Sequence, residues 1–190
     1  MRLTTVLIPL AGFGLFSPLP ADLVSHWTLD GDLLDSGPAG NHGTMLGAPS
    51  PTFVDGFDGA PGGAVSFDGV DDLIQVAHTS GLPISAQPAF TVAMWVKGAP
   101  QRDKRVFSES TTTNAPLFNL GTDSAAAPTA KVDIFIRNDA NTAIVNHKKS
   151  DRNGFDGQWR HLAWVDDNGK AVLYLDGIRD AVDFTYPRGT

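Results

Sequence analysis

From residue 22 onward, apolar and polar residues alternate in short runs cut by turn signals, and no stretch keeps the 3.6-residue period of a helix. The alternation predicts strands at 23–29, 64–67, 73–76, 90–96, 105–109, 116–120, 132–136, 143–145, 158–165 and 171–175. Asp-Gly at 30, 55, 58, 68, 156 and 176 and Asn-Gly at 153 and 168 supply tight turns between them. Segments 36–63 and 110–130 read as loops. Phe90, Val92, Met94 and Val96 alternate with Thr91, Ala93, Trp95 and Lys97, giving two partly apolar faces, as suits a strand in a two-sheet stack. Near the end, Trp159, His161, Ala163 and Val165 share one face, while Arg160, Leu162 and Trp164 share the other. The predicted fold is all-β, a sandwich of two antiparallel sheets.

Composition sharpens this reading. Of the 21 acidic residues in this 190-residue chain, only Glu109 is a glutamate. Asp favours turns and caps where Glu favours helix interiors, so the bias argues for β structure and removes most glutamate-based catalysis. A net charge of −7 makes nucleic acid and an anionic membrane surface poor partners. With no Cys there is no disulfide framework and no thiolate metal site. Met1-Arg2, the uncharged stretch 3–16 and Ser17-Pro18-Leu19-Pro20-Ala21 read as a secretory signal peptide over 1–21. That stretch is too short to span a bilayer, so no membrane span is expected. Residues 22–190 form the mature domain, and the expected location is secreted, periplasmic or cell envelope.

Four blocks carry a more specific resemblance. They are LVSHWTLDGDLLDSGPAGNHGT (23–44), GGAVSFDGVDDLIQV (62–76), AFTVAMWVK (89–97) and GQWRHLAWVDDNGKAVLYLDG (157–177). In this order they resemble a laminin-G-like, concanavalin A-like jelly-roll domain of the bacterial secreted type. The resemblance implies further closing strands beyond the Asp-Gly hairpin. With none before Thr190, the expectation is a C-terminally incomplete domain whose strand at 23–29 has an open edge that invites association.

Candidate chemistry is sparse. Asp68, Asp71 and Asp72 lie close together, and Ca²⁺ takes six to eight oxygen ligands. The family resemblance also implies a structural calcium. Asp35 and Asn41 are a second candidate pair, not of EF-hand type, because the loop counted from Asp30 has Leu34 and Asp35 where a ligand and a glycine are required. His26, His42, His78, His147 and His161 show no metal-ligand spacing. Indole rings stack on the apolar face of a pyranose, and Trp164 is the preferred ligand contact among the four Trp. Asn114 and Asn138, ahead of Asn119 and Asn141, could hydrogen-bond sugar hydroxyls. Gly-x-Ser-x-Gly is absent and no glycine loop leads into a helix, which removes hydrolase-elbow and phosphate-cradle readings. The expected function is a non-catalytic extracellular module that binds a glycan or another polymer through rim loops or the concave sheet. The alternatives are a protein-interaction or adhesion part of a larger envelope protein and, less favoured, a glucanase-type hydrolase, which would need two carboxylic acids at a defined separation.

Overall fold

The computed structural model describes residues 22–77, 82, 84–111 and 113–188. The expected signal peptide at 1–21 and His78 lie outside them. Two four-stranded antiparallel sheets make the body. In the first, β5 (Ala89–Lys97), β10 (Trp159–Asp167), β11 (Lys170–Leu175) and β12 (Ile178–Arg179) run in the order β12-β11-β10-β5. In the second, β6 (Arg105–Ser110), β7 (Leu117–Thr122), β8 (Lys131–Arg137) and β9 (Ala143–Asn153) lie side by side in chain order. Ahead of them, β2 (Thr52–Val54) pairs with β3 (Ala64–Ser66), nested inside β1 (Gly43–Leu46) paired with β4 (Leu73–Val76).

Alternation along each strand sets the core between the sheets. Phe90, Val92 and Val96 of β5 and Leu162 and Trp164 of β10 meet Phe118 and Leu120 of β7 and Val132, Ile134 and Ile136 of β8. Trp164 has no exposed surface, and its ring lies 5.6 Å from Phe118 and 5.5 Å from Phe184 between centroids. This corrects its assignment as a ligand contact. On β10 the face with Leu162 and Trp164 points inward, and the face with Trp159 and His161 points outward. Both faces carry one large aromatic and one small or aliphatic neighbour, so alternation alone could not orient them.

Asn168-Gly169, at φ 51° and 85°, joins β10 to β11 in the two-residue turn that positive φ at both positions allows. The C-terminal segment then packs back on that turn. Tyr186 N–H donates to Gly169 O at 2.9 Å, and its hydroxyl donates to the buried Asp166 Oδ2 at 2.5 Å. Burial and the Asp166 carboxylate push the Tyr186 phenol well above its usual range.

Three other expectations change. Residues 23–29 make only one bridge, Trp27 to Asp35. The buried Asp35 carboxylate takes the backbone N–H of His26, Gly37 and Asn41, so this segment's donors serve a side chain rather than a ladder. Segment 36–63 holds β1 and β2 rather than loop alone, and these pair with the strands at 73–76 and 64–66. The edges of the two large sheets are β5, β12, β6 and β9 rather than 23–29, and β5 pairs only with β10 among the described residues.

Candidate functional site

Side chains that point away from the core on β6–β9 build a polar face. On β8, Asp133, Phe135 and Arg137 are two residues apart and share it. Pairing with β7 sets Asn119 opposite Phe135, and pairing with β9 sets Lys149 opposite Asp133. The β8–β9 register shifts between Ile134 and Ile136, whose partners are Lys148 and Val145, so β9 carries one extra residue there. His147 sits in this bulge with φ 50°. A non-glycine residue at positive φ inside a strand is strained, and bulges re-aim side chains.

The bulge brings His147 onto the face. Its Nδ1 lies 3.0 Å from Asp133 Oδ1, and its ring stacks on Phe135 at 4.6 Å between centroids and 26° between planes. Asp133 is 5% exposed, and its other oxygen accepts from Ser124 N–H at 3.2 Å and Ser124 Oγ–H at 3.0 Å. With Asp133 on Nδ1, the neutral imidazole carries its proton there and turns the Nε2 lone pair to the outside. Arg137 places its guanidinium carbon 4.9 Å from the Phe135 centroid. The hydrogen-bond network orients the Asn119 amide with its oxygen toward Arg105 Nε at 3.1 Å and its nitrogen toward Ser108 Oγ at 2.7 Å. At one end, fully buried Asp123 pairs with Lys149 Nζ at 2.6 Å and accepts from Thr129 Oγ1, Thr129 N and Ala125 N. Burial opposes the charge on Asp123, yet Lys149 and these donors hold its carboxyl far below the usual range.

The residues singled out in the sequence fall elsewhere. Asn114 and Asn138 lie in the β6–β7 and β8–β9 connections, which share one end of the second sheet. Asn138 Oδ1 already accepts Thr142 N–H at 2.9 Å, and Asn114, at φ 55°, is exposed. Neither joins the Asp133–His147 face. Asn119 does join it, as a strand residue rather than a loop residue. Asp133 and His147 are 14 residues apart, and only the strand register and the bulge unite them, so no local spacing announced the pair.

The acidic cluster does form. Oxygen atoms of Asp68, Asp71 and Asp72 lie within 4.8 Å of one another, and Asp72 Oδ1 is buried without a hydrogen-bond partner. Such oxygens suit a hard cation such as Ca²⁺. Three of the cluster's oxygens are engaged, since Asp68 N–H donates to Asp72 Oδ2, Val70 N–H to Asp68 Oδ1 and Ala48 N–H to Asp71 Oδ1. Asp35 and Asn41 are not part of this cluster. Burial would raise the Asp35 pKa, but the N–H groups of His26, Asn41 and Gly37 outweigh it and lower it to about 2. Asp35 thus serves as a loop clasp, which corrects its reading as a metal ligand: its oxygens are taken by backbone donors.

Two further features stand apart. Phe57 stacks on Trp95 on the outside of the first sheet, at 4.1 Å and 3°, with both rings about half exposed. An open cleft of about 410 Å³ lies beside Arg160, whose guanidinium is held by Asp156 at 2.6 Å and Asp176 at 2.8 Å. No helix among the described residues is long and apolar enough to cross a membrane.

No curated protein matches the chain. Among solved structures, one similar chain is domain 4 of AbnA, a GH43 extracellular arabinanase from Geobacillus stearothermophilus, in complex with arabinotriose. The two share 22% identity and a TM-score of 0.64, over 89% of this chain and 77% of that one. At that identity the likeness establishes the fold, a jelly-roll sandwich. A family model matches residues 68–188, which hold every strand of the two four-stranded sheets, and by that match the chain belongs to the concanavalin A-like lectin/glucanases superfamily.

Proposed function

We propose that the chain is a non-catalytic, extracellular glycan-binding module and that the glycan lies on the outer face of β6–β9. The observation that carries this reading is His147. A strained backbone at a bulge holds its ring on Phe135 while the buried Asp133 fixes its tautomer. Strain of this kind costs about 1–3 kcal/mol and persists where surrounding structure enforces it, commonly at functional sites. The outward imidazole nitrogen and the Arg105 and Arg137 guanidiniums provide oriented polar groups for hydroxyls. Phe135 supplies the apolar ground beneath them. The arabinotriose complex of a domain with the same fold supports the ligand class. Glu109 Oε1 accepts the Ile84 N–H, a backbone role that supports the non-catalytic reading.

Titration calorimetry against arabinotriose, xylo-, gluco- and galacturono-oligosaccharides tests the proposal. At least one ligand binds below millimolar Kd. His147→Asn, whose side chain tolerates positive φ, weakens it by about tenfold or more, the loss of one charge-assisted or well-oriented hydrogen bond. The melting temperature stays within about 3 °C, because the Asn amide suits the positive φ and can still donate to the Asp133 carboxylate. Silence on every sugar overturns the reading. Concentration-dependent self-association or protein capture would then favour a second reading, in which the unpaired edge of β5 adds a strand from another chain.

A further inference from the structure

The distribution of charge on this same face says more about what it holds. Residues 22–88 contain nine Asp and no Lys or Arg, so the whole negative excess of the chain lies in its first part. Residues 89–188 hold thirteen Lys and Arg against twelve acidic residues. On the outer face of β6–β9, the carboxylates are occupied. Asp133 is taken by His147 and Ser124, Asp123 by Lys149, Thr129 and Ala125, and Asp103 by Arg105 at 3.1 Å.

The donors are not all occupied. Arg137 packs its guanidinium over Phe135 and meets no carboxylate within ion-pair distance among the described residues. The three Arg105 nitrogens are engaged by Asp103 and Asn119, and the outward His147 Nε2, an acceptor in the neutral ring, meets no protein partner among the described residues. The face therefore offers one uncompensated guanidinium, Arg137, over an aromatic ring, with the carboxylates of Asp103, Asp123 and Asp133 already engaged. A neutral sugar would satisfy such a surface poorly, because hydroxyls leave the guanidinium charge without a counter-charge. A carboxylate matches the planar fork of Arg in two parallel hydrogen bonds.

Resting on the glycan-binding reading above, we infer that the ligand of this face is an acidic glycan, with a uronate carboxylate held by Arg137 beside Phe135 and His147. Chain-level repulsion from the Asp-rich first part is screened beyond about 10 Å at 0.1 M salt, so local donors decide the affinity.

The test compares tri-galacturonate with its fully methyl-esterified form, which keeps the sugar rings and removes the charge. The free acid binds at least about tenfold more tightly than the ester, and its Kd rises with added NaCl while that of the ester does not. Arg137→Gln narrows the gap between acid and ester to within about twofold. Equal binding of acid and ester, or preference for the ester, overturns this inference and leaves the glycan-binding reading standing. Binding of neither, with silence across neutral sugars, removes both. A sulfated oligosaccharide bound in preference to the uronate also overturns the carboxylate assignment.

Discussion

Trp164→Ala lowers the stability of the domain by about 3–5 kcal/mol, the range for deleting a fully buried large aromatic. The indole has no exposed surface and touches both halves of the core, through Phe118 on the second sheet and Phe184 on the returning C-terminal segment. A domain of this size loses about 2–4 °C of melting temperature per kcal/mol, so the midpoint falls by on the order of 10 °C. Trp164→Phe separates packing from polarity. The Trp164 Nε1 is buried without a hydrogen-bond partner, so Phe removes an unsatisfied donor together with some volume. Its expected cost is well under half that of the alanine change. Thermal unfolding by circular dichroism reads both, and a Trp164→Ala variant that melts like the parent would place the indole outside the core.

Lys149→Ala is the second large effect. Removing the ammonium leaves the Asp123 carboxylate fully buried with only dipolar partners. Breaking a buried pair costs about 3–5 kcal/mol. The Lys149 side chain is 36% exposed, and solvent screening reduces this to about 2–3 kcal/mol. Adding Asp123→Asn to Lys149→Ala recovers at least half of the loss, because the double variant buries no charge. The pH dependence has a defined sign. The Asp123 carboxyl is held below its unfolded value of about 3.9, so its contribution is complete at neutral pH and declines as pH falls through and below that value. In Lys149→Ala this acid-side decline is smaller. Additive losses in the double variant would contradict the pairing.

Much of the architecture is legible in the sequence. The alternation of Phe90, Val92 and Val96 against Thr91, Ala93 and Trp95 identified β5, and Asn168-Gly169 marked the tightest hairpin. What alternation could not supply was which face turns inward where both are apolar, as on β10. It also stopped β9 at Val145, since the strand continues through Asn146 to Asn153 with charged residues that periodicity treats as loop. The candidate site was the least legible part. Asp133, Phe135 and His147 each have an ordinary strand or loop reading, and their union depends on the β8–β9 register and one extra residue. Asn41 shows the converse. Its side-chain nitrogen donates to Ser25 Oγ at 2.8 Å and its backbone N–H to Asp35 at 2.7 Å, so a sequence cluster that suggested metal ligands closes a loop instead.

Amide NMR during oligosaccharide titration tests the central claim most directly. The account predicts saturable shifts centred on Asn119, Asp133, Phe135, Arg137 and His147, with the Asp68–Asp72 turn and the β10–β11 hairpin unmoved. Shifts confined to the Asp68–Asp72 turn, or to Phe57 and Trp95 on the opposite sheet, would contradict it.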